Sequence, residues 1–398
     1  MRINPTLRNI IELAYQGGDW QTFVERSAER FDAAGVEGFE FAPVTLSYTW
    51  AQLIKNVGAT VLPTYVDPES EGFEMPLQEM SGSVGSIPTQ KLYYSVNRVV
   101  VREQMQLAQK FGQLALNDEM GDIMFDLLDE GTKNLVQSFI NALNHQRHQI
   151  VSTGKFSIDA TNNPRGYKGV EIGFNIPADH FETLAGTSRW WTNADHTTAN
   201  EGSKSDPVGY LKNRVKSIRR AARFPYSGPL RLELTQDLLD DLLTHTAVLK
   251  TLGYRIVPTA ASDTIALNVA MNSGDDRLVD ELRRTIRVDE ITARETYAYV
   301  SKPGKDTDGK PDLVTERIDN FKKENIALVP TGQLGTIQGV QPLSMGHDAD
   351  KVAYAMGNRL LIEQEDIPRS HSLNINGEMG QLCVPSVINQ MYISTVTV

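Results

Sequence analysis

From Thr132 to Ser152 apolar residues fall at helical spacing: Val136, Ile140 and Leu143 share one face, which Leu135 and Phe139 widen. Gly154 follows where a left-handed C-terminal cap belongs, so the pattern predicts a helix over about 132–152. Phe156 and Ile158 then alternate with polar residues, which predicts a strand. A second helix is predicted from Asp206-Pro207, because Asp is a favoured N-cap and Pro is pre-organised for the first helical position. Its apolar stripe is Val208, Leu211, Val215 and Ile218, and its other side carries Lys212, Arg214, Lys216, Arg219, Arg220 and Arg223. Leu230, Leu232 and Leu234 predict a short strand, and Thr235-Gln236-Asp237 opens a helix through about Lys250.

Elsewhere the pattern is weaker. Lys91 to Val101 is rich in β-branched and aromatic residues and predicts a long strand, after which Leu107, Phe111 and Leu114 have helical spacing. Beyond Lys250 short strands and helices are predicted to alternate as far as Leu361, interrupted by a hairpin tip at Pro303–Asp312. Leu382–Val398 predicts a strand. Two stretches follow no period. Residues 1–50 mix a short amphipathic piece (Ile10, Ile11, Leu13) with an aromatic-rich run ending at Tyr48 and Trp50. Residues 61–90 carry Pro63, Pro68, Pro76 and Pro88, and between Asp67 and Gln90 there is no Lys or Arg. Five acids lie there: Asp67, Glu69, Glu71, Glu74 and Glu79. So long an interruption in a compact protein predicts a functional or projecting loop.

Composition narrows the class. At 398 residues the chain has room for two or three domains of roughly 150 residues each. Its 40% hydrophobic content suits a folded globular protein. One cysteine, Cys383, excludes an intrachain disulfide and a Cys-rich metal site. No apolar run approaches the ~18 residues of a membrane helix, and the start of the chain lacks the pattern of a secretory signal. A net charge of -11 argues against general nucleic-acid binding, which needs a basic footprint.

The motifs of common catalysts are missing from the sequence: there is no phosphate-binding glycine loop, nucleophile elbow or zinc-protease helix. His145 and His148 have a spacing that could serve one metal, but no carboxylate at matching helical spacing joins them, so ordinary surface or interface histidines are expected. Asp306, Asp308 and Asp312 imitate part of a calcium loop whose closing acid is absent, so a solvated hairpin tip is expected. Asp240-Asp241 and Asp275-Asp276 read as solvated helix ends, and Trp190-Trp191 as core or interface anchors.

The order of these features resembles the major capsid proteins of tailed bacteriophages, and most closely the phage lambda type, major capsid protein E. The resemblance rests on NHQRHQIVSTGKFSIDA (144–160), GVEIGFNIP (169–177), Trp190-Trp191, the Asp206-Pro207 helix start and the ending from Val352 to Val398. Cys383-Val384-Pro385 stands where the family more usually has Leu-Pro, and residues 1–60 match no part of it. The resemblance implies an α+β capsid fold with an N-terminal arm (1–60), an extended β-loop (61–90), a peripheral domain (91–205) with a spine helix, an axial domain (206–361) and C-terminal strands returning to the peripheral domain (362–398). It implies a shell protein and no enzyme, with no cofactor and no metal. The partners it implies are further copies in hexameric and pentameric capsomers, a scaffolding protein, a portal and a decoration protein. The shell it implies would enclose double-stranded DNA without reading its sequence, touch no membrane, be assembled in the host cytoplasm and end in the virion. An encapsulin-like compartment shares the fold and is the alternative, with an unrecognised enzyme behind it. The acidic loop residues Asp67 to Glu79 are expected to meet the basic residues Lys212 to Arg223 of a neighbouring subunit.

Overall fold

The computed structural model describes residues 19–29, 36–55, 80–97, 102–103, 106, 119–192, 196, 198–200, 205–221, 226–305, 311–344, 351–367 and 372–396. The chain is α+β and divides into two compact bodies. The first comprises residues 1–50, 84–144 and 336–384, and the second 51–83, 145–335 and 385–398. Helix α1 is Trp20–Ala28, α2 is Glu119–Thr153, α3 is Pro207–Arg219, α4 is Gln236–Thr244, α5 is Thr246–Ile256, α6 is Asp263–Met271 and α7 is Asp275–Ile286. The strands that matter below are β4 (Thr89–Asn97), β8 (Leu230–Thr235), β9 (Glu290–Arg294), β12 (Asn325–Pro330), β16 (Ser372–Pro385) and β17 (Tyr392–Thr395).

In the first body a six-stranded sheet is organised on β16, whose 14 residues pair antiparallel with β4 over Ser372↔Asn97 to Gly380↔Thr89. The body's part of α2 packs on it through Leu135 and Phe139. Gly377 on β16 allows this approach: a Cβ there would lie 2.7 Å from the Phe139 ring. Gly131 does the same on the helix, where a Cβ would lie 2.7 Å from the ring of Tyr94. The Tyr94 hydroxyl donates to the carbonyl of Leu128 at 3.2 Å and lies 3.0 Å from Thr132 Oγ1. Leu128, Val136 and Leu143 are fully buried along the same helix. Helix α1 joins this body through Trp20, whose indole donates to the Ile362 carbonyl.

The second body is built on the sheet β7-β17-β12-β8-β9, where β7 is Phe181–Thr183. Strand β8 is buried on both sides. Leu230, Leu232 and Leu234 face a core shared with Ile326 and Leu328 of β12 and with the apolar sides of α3, α4, α5 and α7. Alternation sends Arg231 and Glu233 to the other face, where they meet Arg147 from the last turns of α2. A nine-pair antiparallel hairpin, Tyr297–Lys305 with Pro311–Asp319, stands apart as a two-stranded sheet.

Several expectations need correction. The long helix begins at Glu119, 13 residues before the expected start, because Gly131 is a packing glycine and does not break the helix. The helix expected from Thr235 to about Lys250 is two helices. His245 adopts an extended conformation and caps α5, its Nδ1 accepting from the amide of Ala247 at 3.2 Å. From Glu290 onward the described residues form strands, with only isolated short turns, where alternating strands and helices were expected. The C-terminal stretch is two strands: β16 belongs to the first body's sheet and β17 to the second's. Asp206 precedes Pro207 as expected but makes no side-chain cap bond. The helical spacing at Leu107–Leu114 lies outside the described residues.

Candidate functional site

The charged side of α3 is set by its apolar one. Val208, Leu211, Val215 and Ile218 are buried among Trp190, Trp191 and the leucines of α4 and α5, which fixes the helix's rotation. Lys216, Arg219 and Arg220 are thereby exposed and Lys212 is half-buried. Arg214 is turned inward. Its guanidinium donates to the His180 carbonyl at 3.0 Å, lies 3.5 Å from Glu182 Oε2 and sits 5.2 Å from the centre of the Tyr392 ring. It therefore belongs to the packing of α3 and not to the outer basic surface. Arg223 and the acids Asp67, Glu69, Glu71, Glu74 and Glu79 lie outside the described residues.

One basic residue of this surface was not evident from the pattern. Arg219 donates to the carbonyl of Arg287 at 3.1 Å, which brings the end of α7 beside the end of α3. Arg287 closes α7 in the left-handed conformation, with φ 66° and ψ 43°, a position usually held by glycine. No hydrophobic period marks such a residue in a sequence.

Helix α4 presents the opposite charge. Its sequence holds Asp237, Asp240 and Asp241 and no base. Asp240 is exposed and accepts from Gln236 at 2.8 Å, while Asp241 holds His196 at 2.7 Å. The His196 ring stacks on buried Trp191, with ring centres 4.2 Å apart. This His–Asp pair and the two tryptophans form a packed layer beneath α4, and Trp190 and Trp191 are core residues, 0% and 1% exposed.

Beneath the sheet lies a buried ion cluster. Glu233 is 0% exposed, and both carboxylate oxygens accept from Arg147, at 2.6 and 2.8 Å. Arg294 donates to the same carboxylate at 3.0 Å, and Arg231 lies 2.9 Å from it. Burial pushes the carboxyl pKa up, but Arg147 and Arg294 together outweigh it and hold Glu233 down at about 2. His148 is driven down to about 3, chiefly by burial and then by Arg147 and Arg294. His145, on the same helix, has its Nδ1 3.2 Å from Asn320 Oδ1, and burial lowers its pKa too. Among the described residues no three His, Cys, Asp or Glu side chains come together as a metal site. No described helix is long and apolar enough to cross a membrane.

The histidines predict an acid transition. Burial lowers His145, His148, His180 and His245 below the ordinary value of 6.5. A group held neutral in this way contributes stability that is complete above about 6.5 and is lost as pH falls toward the folded pKa, because the unfolded chain binds the extra protons. His245 adds a structural reason: its Nε2 donates to the Trp190 carbonyl at 2.8 Å while Nδ1 caps α5, so protonation removes the cap. Urea midpoints are therefore expected to fall from about pH 6.5 downward, well above the window of Glu233, whose contribution is lost only as pH drops from about 4.5 toward 2. His148→Gln should flatten the slope between about pH 6.5 and 5. A wild-type midpoint constant over that interval contradicts the reading.

No known family model matches the chain, and neither does any curated protein. Among solved structures the chain is similar to a phage-related protein from Bordetella bronchiseptica RB50, at 15% identity and TM-score 0.47, covering 99% of this chain and 98% of that one. It is similar to the procapsid of satellite phage P4, at 10% identity and TM-score 0.45, covering 100% and 93%. It is similar also to the mature capsid of bacteriophage PhiM1, at 9% identity and TM-score 0.41, covering 90% and 85%.

Proposed function

We propose that this chain is the major shell protein of a tailed-phage head, assembling as hexamers and pentamers into an icosahedral capsid around double-stranded DNA. The observation that supports this most is a succession of elements. A 35-residue helix ends at a glycine with φ 75°, passes into the hairpin Lys155–Ile158 with Val170–Gly173, and is followed by Trp190-Trp191 and the Pro207 helix on a five-stranded sheet. That is the order the sequence resemblance implies for spine helix, hinge strands and axial domain. In this reading the six-stranded sheet is peripheral and the five-stranded one axial, so β17 completes the axial sheet. The spine runs from Glu119 to Thr153. The chain is then a structural protein, with scaffolding protein, portal and decoration protein as its partners and the virion as its destination. Sedimentation of the purified chain tests the reading at its simplest: species far above 44.2 kDa are expected, and a monomer at every concentration contradicts it.

The charged stretches fit the same reading. In a capsid the extended loop lies across an adjacent subunit, and Asp67 to Glu79 carry five negative charges with no positive one. Lys212, midway along α3, and Lys216, in its last turn, are the cations proposed to meet it. Each exposed pair contributes only ~0–1 kcal/mol, but repetition over a shell sets register and speeds encounter. Glu71→Lys with Glu74→Lys should slow assembly and weaken its salt dependence. Adding Lys212→Glu and Lys216→Glu in the same chain should restore both. Single-sided reversals that leave assembly unchanged, or a combined chain that stays slow, show that the two segments do not meet.

A further inference from the structure

The end of α3 and the end of α7 form a second basic surface, and the structure carries a matching acidic one. Arg220 closes α3, Arg287 closes α7, and the Arg219 bond to the Arg287 carbonyl holds the two ends together. Arg220 and Arg287 are exposed and make no ion pair among the described residues. The acid nearest Arg287 in sequence, Asp289, is engaged by the amide of Leu230 at 2.9 Å. Arg287 also sits where a side chain is disfavoured: left-handed backbone costs a non-glycine residue, and such strain points to a use for the side chain.

The acidic counterpart is the outer side of α4, with Asp237 and Asp240. Both α3 and α4 bury their apolar sides in one core, and α5 and α7 pack against each. The basic and the acidic groups therefore stand on different helices of one body, with their charged sides turned away from the shared core. Two different complementary surfaces on one chain make a head-to-tail contact, which closes a ring when the rotation allows.

We propose that Arg220 and Arg287 of one copy dock against Asp237 and Asp240 on α4 of the next copy around a capsomer. This contact rests on the shell reading and names a subunit surface within it. It uses residues other than Lys212 and Lys216, to which the loop contact is assigned.

The ring geometry gives the test a distinctive form. The full chain is made as Arg220→Glu/Arg287→Glu and, separately, as Asp237→Lys/Asp240→Lys, with thermal unfolding confirming that each remains folded. Light scattering follows assembly at about 50 mM and about 500 mM salt, where screening differs severalfold. Each variant alone should assemble about tenfold or more slowly at low salt, since like charges now face each other at every contact. An equimolar mixture should assemble faster than either component, because alternating copies pair altered with altered and native with native surfaces. A six-membered ring satisfies every contact in this way, whereas a five-membered ring keeps one like-charged contact, so recovery should favour hexamers. Arg287→Gly should slow assembly while leaving the melting temperature unchanged or raised, which a purely structural role for Arg287 does not allow. Wild-type rates in either double variant, or a mixture no faster than its components, overturn the contact while leaving the shell reading standing. Normal assembly of the arginine variant into particles that retain less DNA would assign the basic surface to nucleic acid and also overturn it. A wild-type chain that never associates overturns the shell reading and this contact with it.

Discussion

Replacing Glu233 with glutamine is expected to destabilise the second body by ~3–5 kcal/mol, the cost of leaving buried guanidinium groups without their counter-charge. Glutamine keeps the shape and one acceptor, so the loss reports charge and not volume. Three arginines converge on this carboxylate from three elements: Arg147 from α2, Arg231 from its own strand and Arg294 from β9. Without the negative charge their mutual repulsion is opposed by no water, since Arg147 and Glu233 are 1% and 0% exposed. The effect is read in urea unfolding at pH 7, and an unchanged midpoint shows that the cluster is not what joins the end of α2 to the sheet. Arg147→Met should cost less than Glu233→Gln, because it removes one of the surplus positive charges along with a partner.

Leu143→Asp is expected to be the corresponding break in the first body. Leu143 is 0% exposed, and its carbonyl lies 3.8 Å from the Sγ of Cys383 on β16. A carboxylate at that depth has no partner of opposite charge designed to meet it and costs several kcal/mol. The variant should express poorly, and the portion that remains soluble should not assemble. Normal assembly of Leu143→Asp shows that the helix's buried side is not where the structure puts it.

What the sequence made legible was set by period. The apolar positions of α2 from Thr132 onward, the α3 stripe and the β8 leucines are buried as their spacing implied, because one side of each element faces a core. The beginning of α2 escaped, since Gly131 reads locally as a breaker and only the approach of Tyr94 from a distant strand explains it. The break at His245 escaped for a similar reason: a histidine caps a helix only when another group, here the Trp190 carbonyl, fixes its tautomer. Glu233 gave no sign of its role, because alternation alone cannot tell a buried carboxylate from a solvated one. Its partner Arg147 sits between two histidines with no pattern that marks it as buried, and its other partner Arg294 lies 61 residues from Glu233 along the chain. Of the charged surface, Lys216, Arg219 and Arg220 were legible as exposed cations, whereas Arg214 looked the same and is turned inward by Glu182 and His180.

The most direct test of the shell reading is electron microscopy of the purified full-length chain, expressed with and without a co-expressed scaffolding protein. Closed particles of uniform diameter, with six-fold and five-fold clusters on their surface, are the predicted result. A field of isolated monomers or dimers under both conditions, at concentrations where the chain is folded, contradicts it.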